Sequence, residues 1–246
     1  MTDHLSYSSI STWLMCPRSW KFRYVEKQPA PTSTALIFGS AFHKTIEAFL
    51  TRGTSEPLEA IWCEQWTAKV DEESGIAWGS DTTGDLNAMG IKMFSDNDIV
   101  ETIESLKPVE HENVERFVEL RVPGVPIPVV GYIDLIDNGI PCDFKTASRK
   151  WSANQATDEI QPLFYLAALN QAGSSVMQFR HYIFTKTKAP AIQIFDTHRT
   201  MSEIVWLFGL IGEVWQAIEK GVCPPNPGTW KCSEKFCEYW SICRGK

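Results

Sequence analysis

Much that would assign this chain to a familiar class is missing from it. No basic segment followed by an apolar run opens the sequence, so no secretory leader is expected and a cytoplasmic location is the default. Long apolar stretches are absent too: the longest, IVWLFGLIGEVW, is broken by Glu213 and reads as too short for a bilayer, so no membrane role is expected. Neither a GxGxxG loop nor a Walker-type loop is present, which removes the usual phosphate cradles. There is no GxSxG elbow for a serine nucleophile, and no internal repeat or low-complexity tract. Positive charge is in short supply. Lys and Arg number 23 against 30 Asp and Glu, a net −7. That balance argues against a general nucleic-acid coat but leaves room for an acidic site neutralised by cations. Basic residues are concentrated locally, in RSWKFRYVEK (Arg18, Lys21, Arg23, Lys27), SRK (Arg149, Lys150) and TKTK (Lys186, Lys188).

What remains is an ordinary folding chain. Its 246 residues, 43% hydrophobic and 22% charged, can bury a full core as a single domain. Serines ahead of Ile10, Trp13 and Leu14 cap a first helix, which Pro17 ends or restarts, with Cys16 at the junction. LIFGSAFHKTIEAFLTRG reads as a second helix with Phe42, Ile46, Phe49 and Leu50 buried and Gly53 just past its end. On it His43 and Glu47, four apart, share a side. Residues 57–107 read as helical, with a break around SGIAWGSDTTGD.

From residue 113 the period changes to two. VERFVELRV alternates as a half-buried strand, and PVVGYIDLI and IPCDFKTA flank the turn DNG as an antiparallel meander. A helix over 158–172, strands at QFRHYIFTKT and AIQIFD, and a helix from the capping box Thr200/Glu203 to about Lys220 complete the order. The fold class is therefore mixed α/β, a small central sheet flanked by helices.

The hairpin carries the chemistry. Adjacent strands joined at DNG bring Asp134 and Asp143 close together, where one carboxylate would take a proton unless a cation sits between them. Magnesium or manganese suits such hard oxygen ligands. Lys145, two residues past Asp143, shares its face and could hold a water or meet charge growing on a phosphate.

Asp134 followed by Asp143-Phe144-Lys145 resembles the D…(D/E)xK signature of the PD-(D/E)XK nuclease superfamily. The match is closest to its RecB-like branch, which includes iron–sulfur nucleases of CRISPR adaptation, helicase–nuclease subunits of recombination, and phage-borne exonucleases. GSAFHKTIE, GYIDLI, DFKTA and QPLFY resemble successive motifs of that branch. The resemblance implies a restriction-endonuclease-like core and a metal-dependent DNA exonuclease acting on single strands or strand ends, with a recombination or helicase complex as the partner class. It implies that His43, Asp134, Asp143 and the Phe144 carbonyl bind the metal and that Lys145 positions or polarises the attacking water. Gln161 and Tyr165 would brace the site, and Glu47 would act directly or brace Lys145. Pro162 directly after Gln161 puts that glutamine in the first turn of its helix. The rival reading is a silent DNA-binding adaptor of the same fold.

Seven cysteines point to metal chemistry more than to disulfides. Cys232, Cys237 and Cys243 supply three soft ligands within the last fifteen residues. By the resemblance Cys16 is the fourth ligand of a 4Fe–4S cluster, so that 1–30 and 222–246 form one iron–sulfur subregion, the tail packed on the first helix within the single domain 1–246. Trp230, Phe236, Tyr239 and Trp240 could shield the sulfurs. A tetrahedral zinc site is the alternative for four thiolates.

Overall fold

The computed structural model describes residues 3–52, 56–107 and 110–245. The elements run in order β1 (Leu5–Ser6), α1 (Tyr7–Met15), α2 (Pro17–Trp20), a π-helical turn (Lys21–Val25), β2 (Thr32–Ser33), α3 (Thr34–Thr51) and α4 (Leu58–Glu72). Then come β3 (Ile76–Ala77), α5 (Thr83–Phe94), α6 (Asn97–Ser105), β4 (Val114–Leu120), β5 (Val129–Asp137) and β6 (Ile140–Ala147). The chain finishes with α7 (Ala153–Asp158), α8 (Gln161–Gln171), β7 (Gln178–Thr185), β8 (Ala191–His198), α9 (Met201–Glu219) and α10 (Trp240–Arg244). The position expected to end the second helix, Gly53, lies outside the described residues.

Local chemistry explains most boundaries. Ser6, Ser33 and Thr200 cap α1, α3 and α9 with their side-chain oxygens, Thr200 in a reciprocal box with Glu203. Between β5 and β6 the chain reverses through Asn138 and Gly139, both at positive φ (49° and 82°). Two such residues make the primed turn whose twist suits an antiparallel pair.

The six-stranded sheet is mixed. β4, β5 and β6 form the expected antiparallel meander, but β6 and β7 are parallel, joined by a crossover through α7 and α8, and β8 returns antiparallel. Parallel neighbours need a long connection, and α8 supplies it. β1, two residues long and paired with Val129 and Val130, has no signal in the sequence.

Helices cover both faces. On one side α3, α4, α5 and α6 pack Phe38, Phe42, Trp62 and Phe94 against Cys142, Phe144, Tyr182 and Phe184 of the sheet. On the other, α8 and α9 bring Leu163, Phe164, Leu207, Ile211 and Trp215 onto Leu120, Val122 and Val129. The layering is that of a helix–sheet–helix sandwich built on two buried sheet faces. α9 is longer than its apolar run suggests. At 19 residues and a mean hydropathy of 1.2 it is long and apolar enough to cross a membrane by length and composition. One side of it is nevertheless packed into the core through Ile204, Leu207, Ile211, Val214 and Trp215.

The C-terminal tail lies on the first helices. Arg18 donates from its backbone to Pro224 O (3.2 Å) and from Nε to Cys223 O (2.9 Å). Asn226 donates to Met15 O at 3.1 Å, and Phe22 packs on Tyr239 at 5.5 Å between ring centroids.

Candidate metal centre

The β5–β6 hairpin opens where its aspartates stand. Ladder pairing runs from Asp137↔Ile140 to Leu135↔Cys142 and stops there, one pair short of Asp134 and Asp143. In place of a ladder bond, the Phe144 N–H donates to Asp134 Oδ2 at 2.7 Å. A carboxylate that receives a backbone N–H while the strands diverge is fixed without being sealed into the sheet.

Two further side chains converge on Asp134. His43 Nδ1, from α3, lies 3.5 Å from Asp134 Oδ2. Glu115, from β4, completes a group in which one ligand atom each of His43, Glu115 and Asp134 all lie within 4.8 Å of one another. The β4–β5 register pairs Val114 with Leu135 and Arg116 with Ile133, which leaves Glu115 and Asp134 between them. Glu115 adopts a left-handed backbone (φ 49°), a conformation that costs a non-glycine residue about 1–3 kcal/mol and that collects at functional positions.

Lys145 organises the other half. Its Nζ donates to Asp143 Oδ1 and to Gln161 Oε1, each at 2.7 Å, and Gln161 Nε2 donates to Tyr165 Oη at 2.9 Å. Gln161 is the first residue of α8 and Pro162 follows it within the first turn, where a missing N–H costs nothing. Gln161 thus stands in the first turn of α8 and still reaches Tyr165 from there. Gly131 makes room for this arrangement: a Cβ there would meet Tyr165 Cε1 at 3.2 Å.

The charges are mutually adjusted. Burial opposes charge on His43, yet Asp134 beside it raises its pKa overall. Burial likewise opposes ionisation of Asp134, and His43, Lys145 and the Phe144 N–H outweigh it, holding this carboxyl below the usual range. Asp143 goes the other way: burial, reinforced by Asp134 and opposed by Lys145, lifts it to about 6. Glu115 is raised to about 7 by burial and by the nearby charges of Asp134 and Glu47. Lys145 pays for burial but is raised overall by Asp143 and Asp134, so it stays an ammonium at neutral pH.

These residues fit a divalent cation. Asp143 is 2% exposed and its Oδ2 is buried with no hydrogen-bond partner. An unpaired buried carboxylate oxygen is costly, and although Asp143 is not one of the three groups whose ligand atoms converge, a hard cation bound next to it would offset that cost. A cavity of about 430 Å³, lined by Gly39, His43, Lys44, Glu115, Lys145 and Thr146 among others, opens onto the group. It meets a second, of about 360 Å³, at Ala35 and Thr146, where Arg149 and Lys186 supply positive charge.

The expected residues are thus largely brought together. His43, Asp134, Asp143, Phe144, Lys145, Gln161 and Tyr165 share one site. Glu47 pairs its carboxylate with Lys44 and acts on Glu115 through its charge. Glu115 was missed. Within VERFVEL it reads as one polar position of an alternating strand, and only the β4–β5 register shows what it faces. At the cysteine tail all four expected ligands are free thiols of intermediate exposure. Cys16 is near enough to Cys237 to raise that thiol's pKa, after burial and other neighbours. Among the described residues, no three of the cysteine sulfurs lie within 4.8 Å of one another, whereas a closed tetrahedral zinc site would hold them about 3.8 Å apart. Of the aromatics expected to shield the sulfurs, Tyr239 is buried (2% exposed), while Trp230 is 68% and Phe236 50% exposed.

Comparison with known proteins shows the family and the fold. The family model of the PD-(D/E)XK nuclease superfamily matches residues 4–244. Among solved structures, a "putative exonuclease" from Eubacterium rectale aligns over 99% of this chain and 88% of its own, with a TM-score of 0.62 at 11% identity, a likeness of fold. The structure of SSO0001 aligns over 82% of this chain and 94% of its own, with a TM-score of 0.35 at 17% identity. No curated protein matches.

Proposed function

Because the chain belongs to the PD-(D/E)XK nuclease superfamily, we propose that it hydrolyses the phosphodiester bonds of DNA as a magnesium- or manganese-dependent exonuclease, on single strands or strand ends, in the cytoplasm. The observation that carries this reading is the Asp134–Asp143–Lys145 arrangement: two unlike carboxyls, one with a bare buried oxygen, beside an ammonium. His43, Glu115, Asp134, Asp143 and the Phe144 carbonyl would hold the ion. Its imidazole ligand shifts preference toward manganese. Bound there, the ion supplies Lewis acidity toward the attacked phosphate and a more acidic water.

The chain's own groups do the rest. Asp143 and Asp134 favour the charged form of Lys145. The lysine orients the attacking water and meets negative charge growing on the phosphate oxygens. Gln161 fixes the direction of that ammonium, and Tyr165 fixes Gln161. The tyrosine hydroxyl, raised by burial and by Asp143 and Asp134, stays protonated and able to donate.

Cys16, Cys232, Cys237 and Cys243 are assigned to a structural 4Fe–4S cluster that fastens the tail to α1 within the single domain 1–246. The contacts of Met15, Arg18 and Phe22 with the tail favour this assignment. Iron in purified protein, lost with colour in Cys237→Ser, would support it, and zinc would overturn it.

End-labelled single- and double-stranded DNA incubated with Mn²⁺ tests the main proposal. Cleavage by the wild type that Lys145→Ala lacks would support it. Equal inactivity of both proteins would favour the silent DNA-binding adaptor.

A further inference from the structure

We propose that Phe117 and Tyr132 form a stacking platform for a base of single-stranded DNA held next to the scissile phosphate. This rests on the nuclease reading and names the feature that makes the site prefer an unpaired strand. The two rings stand directly opposite each other in the β4–β5 register. They meet edge to face, centroids 5.4 Å apart, and are 52% and 55% exposed. Phe117 follows Glu115 by two residues and Tyr132 precedes Asp134 by two, so the aromatic pair sits two residues along the β4–β5 ladder from the carboxylates. Two residues of strand span about 6.8 Å, on the scale of one nucleotide step.

Scattered exposed apolar residues need no explanation, but this pair is not scattered. The cavity at His43 and Lys145 is lined by Glu115, two residues from Phe117, and shares Ala35 and Thr146 with the cavity that Arg149 and Lys186 line. Cations, a metal-binding acidic centre and exposed aromatic faces a short way along the same strands suit an extended polyanion with free bases. Aromatic stacking works on any base and is worth about 1–3 kcal/mol per base. A duplex must first unstack to use it, at a cost of a few kcal/mol.

The full chain is titrated without divalent ions, by fluorescence anisotropy, against labelled dT12, a length-matched abasic strand and a blunt duplex. Wild type should bind dT12 more tightly than the abasic strand. Phe117→Ala/Tyr132→Ala should weaken dT12 roughly tenfold and leave the abasic strand unchanged, whereas Phe117→Tyr/Tyr132→Phe should keep wild-type affinity. Should the double alanine protein fold poorly, Tyr132→Leu keeps bulk on the strand and should show the same loss in smaller measure. Equal binding of dT12 and the abasic strand by wild type, unchanged dT12 affinity in the variants, or parallel loss on both strands would overturn the platform. Failure of the nuclease reading looks different: no cleavage with Mn²⁺, whatever the binding pattern.

Discussion

The acidic centre and the cysteine tail are both built from residues far apart in sequence, yet they are organised in opposite ways. At the centre, β4, β5, β6, α3 and α8 each deliver a side chain, and hydrogen bonds of 2.7–2.9 Å chain Asp143, Lys145, Gln161 and Tyr165 together. In the tail the backbone is fastened to α1 and α2, but the thiols remain unpaired and partly exposed. A catalytic centre has to be aimed before its ion arrives, because misplaced donors lose rate steeply. A structural group can itself draw its ligands together, and its binding energy then counts toward folding.

That contrast can be broken at either end. The largest effect should come from Lys145→Ala, which removes the ammonium from the centre: single-turnover cleavage should fall by about 10²–10³ while the tail stays packed on the first helices. Next, under the proposed cluster assignment, Cys16→Ser should loosen the tail. Limited proteolysis should then cut within residues 222–245, and the melting temperature should fall, while Mn²⁺ affinity measured by calorimetry stays near wild type. Loss of Mn²⁺ binding in this variant would mean that the two regions are one cooperative unit.

A subtler test concerns Glu115. Its carboxyl at about 7 and that of Asp143 at about 6 lie above their unfolded values, so protons compete with the ion. Mn²⁺ affinity should therefore rise as pH climbs from about 6 through 7 and level off above. In the ion-free protein the same raised carboxyls bind more protons folded than unfolded, so they make stability fall between about pH 4 and pH 7. Glu115→Gln should lower Mn²⁺ affinity roughly tenfold, on the scale seen when a metal site loses one supporting group, and flatten the upper part of the pH curve. The smallest effect should be that of Gly131→Ala. The added methyl presses on Tyr165 at 3.2 Å, and a shift of a few tenths of an ångström at Tyr165 should reach Lys145 only through Gln161. A loss of a few fold in turnover, with substrate binding unchanged, is the expected reading.

Much of this was legible in the sequence because the signals were local. The DNG turn, the capping box at Thr200 and the apolar stripe of α3 each act within a few residues, and the structure keeps all three. Asp143 and Lys145 share a face by simple alternation. Less local facts were not readable. The parallel β6–β7 pairing depends on where the crossover through α8 lands, and the two residues of β1 are too few to show a period. Glu115 looks like any solvent-facing strand residue until β4 is laid against β5, and a left-handed kink at one residue leaves no compositional mark. Glu47, on the same helix side as His43, pairs with Lys44 and acts on Glu115 through its charge, and neither contact could be read from the helix spacing alone.

Anomalous scattering from a crystal of the protein soaked in Mn²⁺ tests the centre most directly. The account predicts a peak in coordination contact with His43, Asp134 and Asp143, with Glu115 within reach and Lys145 facing it across Asp143. A strong peak elsewhere with none at these residues, at a pH above 7 where the carboxyls are free, would contradict it.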